Sequence, residues 1–115
     1  MHLHYAIILA TIVTLAGCSR APVITIDNRS TSAIANIAVS GSGFSERIDN
    51  IAAGAKTTLT VHPRGESGVR LAFDANGRHI DTGEQGYFEA GGGYRVSVIV
   101  EPDLKVSVSS QLRSY

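Results

Sequence analysis

Short runs in which apolar and polar residues alternate fill the chain after residue 22, and Gly, Asn, Pro and Ser separate them. The clearest runs are Tyr94 to Glu101 and Leu104 to Leu112, which are joined at Pro102-Asp103. A period of two places the apolar side chains on one face of a β-strand, whereas a helix needs a period of 3.6. The pattern therefore predicts an all-β domain.

The remaining runs predict a series of short strands separated by turn residues. The predicted strands are Val23 to Asn28, Ile34 to Ser40, Phe44 to Ile51, Lys56 to His62, a segment with Val69, Leu71 and Phe73 inward, Arg78 to Asp81, and the pair Tyr87-Phe88. In the third run the apolar residues are irregularly spaced. Loops are predicted at residues 63–68 and 82–86. Asn76-Gly77 predicts a type I′ hairpin, because both residues tolerate positive φ.

About seven strands with frequent turns favour an antiparallel β-sandwich over residues 23–113, with a small closed barrel as the alternative. The segment Gly93-Tyr94-Arg95-Val96-Ser97-Val98 resembles the start of the penultimate strand in fibronectin type III and immunoglobulin-like domains. This resemblance implies an immunoglobulin-like sandwich in which Tyr94 caps a corner by hydrogen-bonding upstream backbone. Val96 stands where a true immunoglobulin domain has its second cysteine, and the core tryptophan is absent.

The first residues have a different character. Ala6 to Leu15 carry no charge and are followed by Ala16-Gly17-Cys18. The apolar stretch is too short for a bilayer, which needs about 20 helical residues, and is typical of a signal peptide. The alternative is a buried strand or helix that ends at an ordinary cysteine.

Leu15-Ala16-Gly17-Cys18 resembles the lipobox of bacterial lipoprotein precursors. The resemblance implies a signal peptide at residues 1–17, cleavage before Cys18, a diacylglycerol thioether on the Cys18 sulfur and a lipidated tether at residues 18–22. In that family an Asp after the cysteine commonly retains the protein at the inner membrane. Ser19 occupies this position, so the resemblance implies the periplasmic face of the outer membrane. The segment before the apolar stretch departs from signal peptides in lacking Lys and Arg.

The content of charged residues and cysteine limits the classes of partner and cofactor that we expect. The ten basic and ten acidic residues balance, and they are scattered along the chain after Cys18. No basic stripe for nucleic acid and no polybasic segment for anionic lipid is present. Cys18 is the only cysteine, so the domain has no internal disulfide. We expect membrane attachment through the lipid on Cys18, envelope proteins as partners, no nucleic acid and no other cofactor.

The sequence offers no group of residues in catalytic roles. His79 and Asp81 share one face of a predicted strand but lack a third metal ligand, so we expect no metal site and interpret His62 and His79 as solvent-facing. The serine in residues 63–68 lacks the Gly-x-Ser-x-Gly pattern and the following helix of a nucleophile elbow. We therefore predict no catalytic residue.

The loops around residues 63–68 and 86–93 are candidate binding surfaces, because loops often carry binding residues. Their candidate residues are Arg64, Glu66, Tyr87 and Phe88. Ser40-Gly41-Ser42-Gly43 resembles an element that periplasmic lipoprotein lysozyme inhibitors place in the enzyme's cleft. That family's tryptophan-bearing motif and its cysteines are absent here.

These observations predict a non-enzymatic, membrane-anchored lipoprotein that serves as a protein-interaction or envelope-assembly accessory module. A module that binds glycan, cell wall or a small ligand is the alternative. An inhibitor of a periplasmic enzyme, or an enzyme, comes third.

Overall fold

The computed structural model describes residues 20–112, which form two four-stranded sheets packed face to face. The eight strands are β1 Val23–Asn28, β2 Ile34–Gly41, β3 Phe44–Ile51, β4 Lys56–Thr60, β5 Glu66–Ala75, β6 Arg78–Glu89, β7 Arg95–Val100 and β8 Val106–Gln111. The predicted all-β sandwich is confirmed. No helix long and apolar enough to cross a bilayer occurs in this part of the chain.

The strand order differs from that of immunoglobulin domains. One sheet has the order β4-β1-β7-β8 and the other β3-β2-β5-β6. β1 pairs in parallel with β7, whereas the second sheet is antiparallel throughout. In a constant-type immunoglobulin domain the first two strands lie side by side in one sheet. Here β1 and β2 belong to different sheets, so the immunoglobulin-like strand order is not found.

The core lies between the sheets and consists mainly of β-branched and aromatic side chains at alternate positions. Val96 and Val98 of β7 and Leu71 and Phe73 of β5 are at most 1 % exposed. Strands with one covered face bury every second side chain, which is the alternation that the sequence shows. The predicted inward faces of these two strands are confirmed.

A bulge in β2 explains the irregular apolar spacing of the third run. Ile34 and Ile37 are three residues apart, yet both are fully buried. Asn36 between them has a φ of 49°, and the pairing of β2 with β5 shifts register here. The bulge turns the chain so that both isoleucines face the core. Ile51 and Ile48 of β3 pair with them and repeat the three-residue spacing.

One predicted loop and the second half of the other are strand instead. Residues 82–86 lie inside β6, and residues 66–68 begin β5. Gly83 and Gly86 have φ values of 66° and 76°, and the β5–β6 pairing shifts register twice. Glycine at positive φ allows a bulge that keeps the strand paired. The two short strands predicted around residues 78–81 and 87–88 are therefore one.

The hairpin prediction holds, whereas the last predicted strand begins and ends differently. Asn76 and Gly77 have φ values of 53° and 71°, as a type I′ turn requires. Leu104, with a φ of 67°, belongs to the turn before β8 rather than to the strand. Leu112, predicted to face inward, is 63 % exposed.

The two ends of the sandwich carry different loops. The chain enters the described structure at what we call the entry end, formed by residues 20–22, 42–43, 61–65, 90–94 and 112. The far end is formed by residues 29–33, 52–55, 76–77 and 101–105. The Gly93 N–H donates to the Arg20 carbonyl at 3.0 Å, and the Val61 N–H donates to the Pro22 carbonyl at 3.1 Å. Residues 20–22 are thus bonded to the sandwich.

Candidate functional site

Small hydroxyl side chains line the outward side of the β4-β1-β7-β8 sheet. The strand register aligns one residue from each strand in a row: Thr58, Thr25, Ser97 and Ser109. The Oγ1 atoms of Thr25 and Thr58 lie 3.2 Å apart. We call this row, with the neighbouring Arg95 and Gln111, the hydroxyl face.

A shallow depression of about 360 Å³ lies on the hydroxyl face. It is lined by Thr25, Arg95, Val96, Ser97, Ser109 and Gln111. The exposed Arg95 guanidinium has no hydrogen bond or ion pair within residues 20–112. Guanidinium, hydroxyl and amide groups donate hydrogen bonds to carbonyl and carboxylate oxygens. The depression can therefore bind the polar groups of another molecule.

The outward side of the β3-β2-β5-β6 sheet is charged instead. The Arg70 Nε–H donates to Asp81 Oδ1 at 2.9 Å, and a second bond joins Arg70 Nη2 to Asp81 Oδ2. The Gly83 N–H donates to the same carboxylate at 3.0 Å. Arg70 first, and then Gly83, hold the pKa of Asp81 well below its ordinary value.

His79 pairs with Asp74 rather than with Asp81. Its Nδ1 atom lies 2.7 Å from Asp74 Oδ1, and the Asn36 side-chain amide donates to Asp74 Oδ2 at 3.0 Å. The hydrogen bonds from His79 and Asn36 lower the pKa of Asp74. Within residues 20–112, no three His, Cys, Asp or Glu side chains are grouped so as to hold a metal ion.

The four candidate loop residues do not form one site. Arg64 is exposed in the loop before β5, whereas Glu66 and Tyr87 lie in strands β5 and β6. Glu66 and Tyr87, with Glu84, line a second open depression of about 300 Å³. Arg64 is not among its lining residues.

Phe88 is predicted to line a binding loop, and this is wrong. Its side chain is fully buried, with its ring centroid 6.1 Å from that of Phe44. Because β6 continues through this segment, Phe88 points inward while its neighbour Tyr87 remains 48 % exposed. The Tyr87 hydroxyl donates to the Glu89 carboxylate, which raises the pKa of Tyr87.

Tyr94 joins the two sheets at the entry end. Its carbonyl accepts a hydrogen bond from the Val23 N–H at 3.0 Å, and its ring meets that of Tyr87 edge to face, with centroids 6.4 Å apart. No partner for its hydroxyl is found among residues 20–112. The tyrosine-corner hydrogen bond therefore stays a prediction.

The inhibitor-like segment is the end of β2 and the turn into β3. The Ser42 N–H donates to Ser67 Oγ at 3.0 Å, and Gly43 has a φ of 78°. A Cβ on Gly41 would lie 2.4 Å from the Phe44 ring and 2.5 Å from the Gly68 carbonyl oxygen. Close packing and turn geometry account for both glycines.

The hydroxyl face is not predicted from the sequence. Alternating Ser and Thr in four strands was visible, but only the strand order shows that the four residues form one row. Cys18, the other residues of the lipobox-like segment and the predicted signal peptide lie outside the described residues.

Comparison with known proteins supports the fold alone. No protein-family profile matches the chain, and no curated protein is significantly similar to it. One similar solved structure is the NMR structure of a protein from Eubacterium rectale, with a TM-score of 0.52 and 14 % sequence identity. The match covers 83 % of this chain and 92 % of that protein.

Proposed function

We propose that the chain is a lipoprotein, attached through Cys18 to the periplasmic face of the outer membrane, whose hydroxyl face binds other envelope proteins. The lipobox supports the anchor, since two or three acyl chains on one cysteine hold a domain firmly at a membrane. No enzymatic activity is part of this proposal.

The shape of the hydroxyl face is the observation that carries the protein-binding role. Its side chains are mostly small, extend across all four strands of one sheet and leave only an open depression. Small-molecule sites enclose most of their ligand, whereas stable protein interfaces cover roughly 800 Å² per partner. Arg95 offers the residue type that is enriched among interface residues with large binding energies.

Membrane fractionation of a Cys18→Ala variant tests the anchor. We expect the variant to leave the membrane fraction with an unchanged circular dichroism spectrum, because Cys18 precedes the described sandwich. The matched control is Ser19→Ala, which keeps the cysteine and should remain in the membrane fraction. A Cys18→Ala protein that stays with the membrane contradicts lipidation.

Photo-crosslinking in cells tests the binding face. A photoreactive amino acid at Ser97, in the middle of the hydroxyl face, should give discrete protein adducts that mass spectrometry identifies. The control position is Ala72, which points outward from the middle of the opposite sheet and should give none. Arg95→Ala should reduce the Ser97 adducts. Equal crosslinking at both positions, or none at Ser97, contradicts the proposal.

A second candidate, binding of glycan or cell wall, is favoured by one observation. Tyr87 lines the second depression together with Glu66 and Glu84, and a tyrosine ring beside carboxylates offers both stacking and hydrogen bonding to a sugar. A binding ligand at a hundredfold excess over its Kd stabilises a protein by about 2.7 kcal/mol. Cell-wall fragments should therefore raise the Tm, and Tyr87→Ala should abolish the effect. An unchanged Tm removes this candidate.

A further inference from the structure

Two large apolar side chains of residues 20–112 are exposed, one at the entry end and one next to it in β6. They are Tyr87, 48 % exposed, and Leu112, 63 % exposed. A Cβ on Gly92 would lie 2.9 Å from the Tyr94 ring and 3.2 Å from Leu112 Cδ2, so both side chains pack over this glycine. Since Tyr94 also contacts Tyr87, the three residues form one surface, which we call the entry-end patch.

The same loop is bonded to the beginning of the described chain. Gly93, between Gly92 and Tyr94, donates its N–H to the Arg20 carbonyl at 3.0 Å. Cys18 is two residues before Arg20, and each residue of extended chain spans at most about 3.6 Å. The Cα atoms of Cys18 and Arg20 are therefore at most about 7 Å apart. A lipid on Cys18 would begin close to the entry-end patch.

We propose that the entry-end patch rests on the lipid bilayer, so that the sandwich stands on this end with its strands directed away from the membrane. This orientation rests on the proposed lipid anchor at Cys18. Tyrosine side chains favour the membrane–water interface, because the ring is apolar and the hydroxyl is hydrated. Leucine adds apolar surface that the acyl-chain boundary covers.

The surface of the far end is polar and charged. Its exposed residues include Arg29, Asn76, Asp103 and Lys105, and no large apolar side chain is exposed there. The six residues of β1 separate the two ends by about 20 Å. The hydroxyl face lies on the outward side of a sheet whose strands run between the two ends, so this orientation leaves it open to a partner beside the lipoprotein.

Tryptophan fluorescence tests this orientation, because the chain contains no tryptophan. Leu112→Trp places a single reporter in the entry-end patch, and Thr31→Trp places a matched exposed reporter at the far end. The full-length lipidated variants are reconstituted into vesicles of phosphatidylethanolamine and phosphatidylglycerol, with or without brominated acyl chains. The reporter at position 112 should shift its emission to the blue and lose most of its intensity to the bromines. The reporter at position 31 should do neither.

Flotation of the same vesicles separates the two proposals. Protein that floats and is quenched at position 112 alone supports the orientation. Protein that floats with equal quenching at both positions, or with none at position 112, overturns the orientation and leaves the anchor intact. Protein that does not float overturns the anchor and the orientation with it. Tyr87→Trp repeats the test within the patch if Leu112→Trp alters the circular dichroism spectrum.

Discussion

At the scale of single residues, the side chain of Asn28 links the segments that meet at the far end of the sandwich through hydrogen bonds. Its side chain is fully buried, and its amide donates to the carbonyls of Ser32 at 2.9 Å and Ile51 at 3.0 Å. Its Oδ1 atom accepts a hydrogen bond from Ser30 Oγ at 2.7 Å. One side chain thus connects the end of β1 to the following loop and to the end of β3.

Replacing Asn28 should therefore destabilise the domain. Asn28→Ala leaves the Ile51 carbonyl without this donor and the buried Ser30 N–H without its acceptor, and each such group costs about 1–3 kcal/mol. We expect the free energy of unfolding, measured with urea, to fall by at least about 2 kcal/mol. Asn50→Ala, at an exposed position of β3, should change it by no more than about 0.5 kcal/mol. Equal effects of the two changes would show that the buried hydrogen bonds contribute nothing.

The type of a residue alone does not show whether its side chain is buried or exposed. Asn28 ends the first predicted strand, and its residue type does not show that its side chain is buried, because Asn favours turns whether its side chain is buried or exposed. Tyr87 and Phe88 are grouped by sequence as loop aromatics, although only Phe88 is in the core. The distinguishing information is the direction of each side chain, which depends on the strand continuing through Gly83 and Gly86.

At the scale of strands, Asn36 sets which side chains of β2 face the core. Its φ of 49° is left-handed, and β-branched residues avoid that region. Asn36→Val should lower the free energy of unfolding by about 1–2 kcal/mol, the typical cost of forcing a side chain into this conformation. Asn36→Gly should be better tolerated, although it also removes the bond to Asp74. Asn50→Val, in the paired strand, is the control and should have little effect. If the Asn36→Val protein were as stable as the Asn36→Gly protein, the left-handed backbone conformation at residue 36 would not be what limits the choice of side chain there.

The ion pair between β5 and β6 predicts a dependence of stability on pH. Arg70 lowers the pKa of Asp81 in the folded state, so the pair stabilises the fold above the unfolded pKa of about 4. That stabilisation is lost as the pH falls through the lower folded pKa. Asp81→Asn should therefore be less stable than the wild type at pH 7, and the difference should shrink on acidification.

Urea midpoints at pH 7 and pH 3 measure this difference. Asp49→Asn is the control, because Asp49 is exposed in β3 and has no ion pair within residues 20–112. A wild-type advantage over Asp81→Asn that persists undiminished at the lower pH would contradict a contribution from the ionised pair.

The alternation of apolar and polar residues predicts most of the strands, because one face of each strand packs against the same core. Val69, Leu71 and Phe73 show this alternation directly. It fails in β6, where glycine bulges interrupt the period, although isolated glycines in a strand pattern are a recognised sign of bulges. It also says nothing about which strands are neighbours. The parallel pairing of β1 with β7 joins segments far apart in sequence, and the hydroxyl face exists only because of that order.

At the scale of the whole molecule, a short tether and a small apolar patch would act together on orientation. Fully burying a large apolar side chain contributes about 1.5–3 kcal/mol, and Tyr87 and Leu112 are already partly covered. The patch alone would therefore hold the domain only weakly at a membrane. If Cys18 carries the proposed lipid, the short segment Cys18-Ser19 before Arg20 would keep the patch next to the membrane.

Lengthening the tether distinguishes the effect of the tether on the orientation of the domain from the effect of the entry-end patch. A Gly/Ser insertion of about ten residues between Ser19 and Arg20 has a typical end-to-end distance of roughly 17 Å, which approaches the length of β1. Flotation should be unchanged, since the acyl chains remain. The difference in bromine quenching between the Leu112→Trp and Thr31→Trp reporters should shrink, because the sandwich can then tilt. An insertion of two residues is the control and should preserve most of the difference. If the long insertion leaves the difference unchanged, the patch alone sets the orientation and the short tether has no part in it.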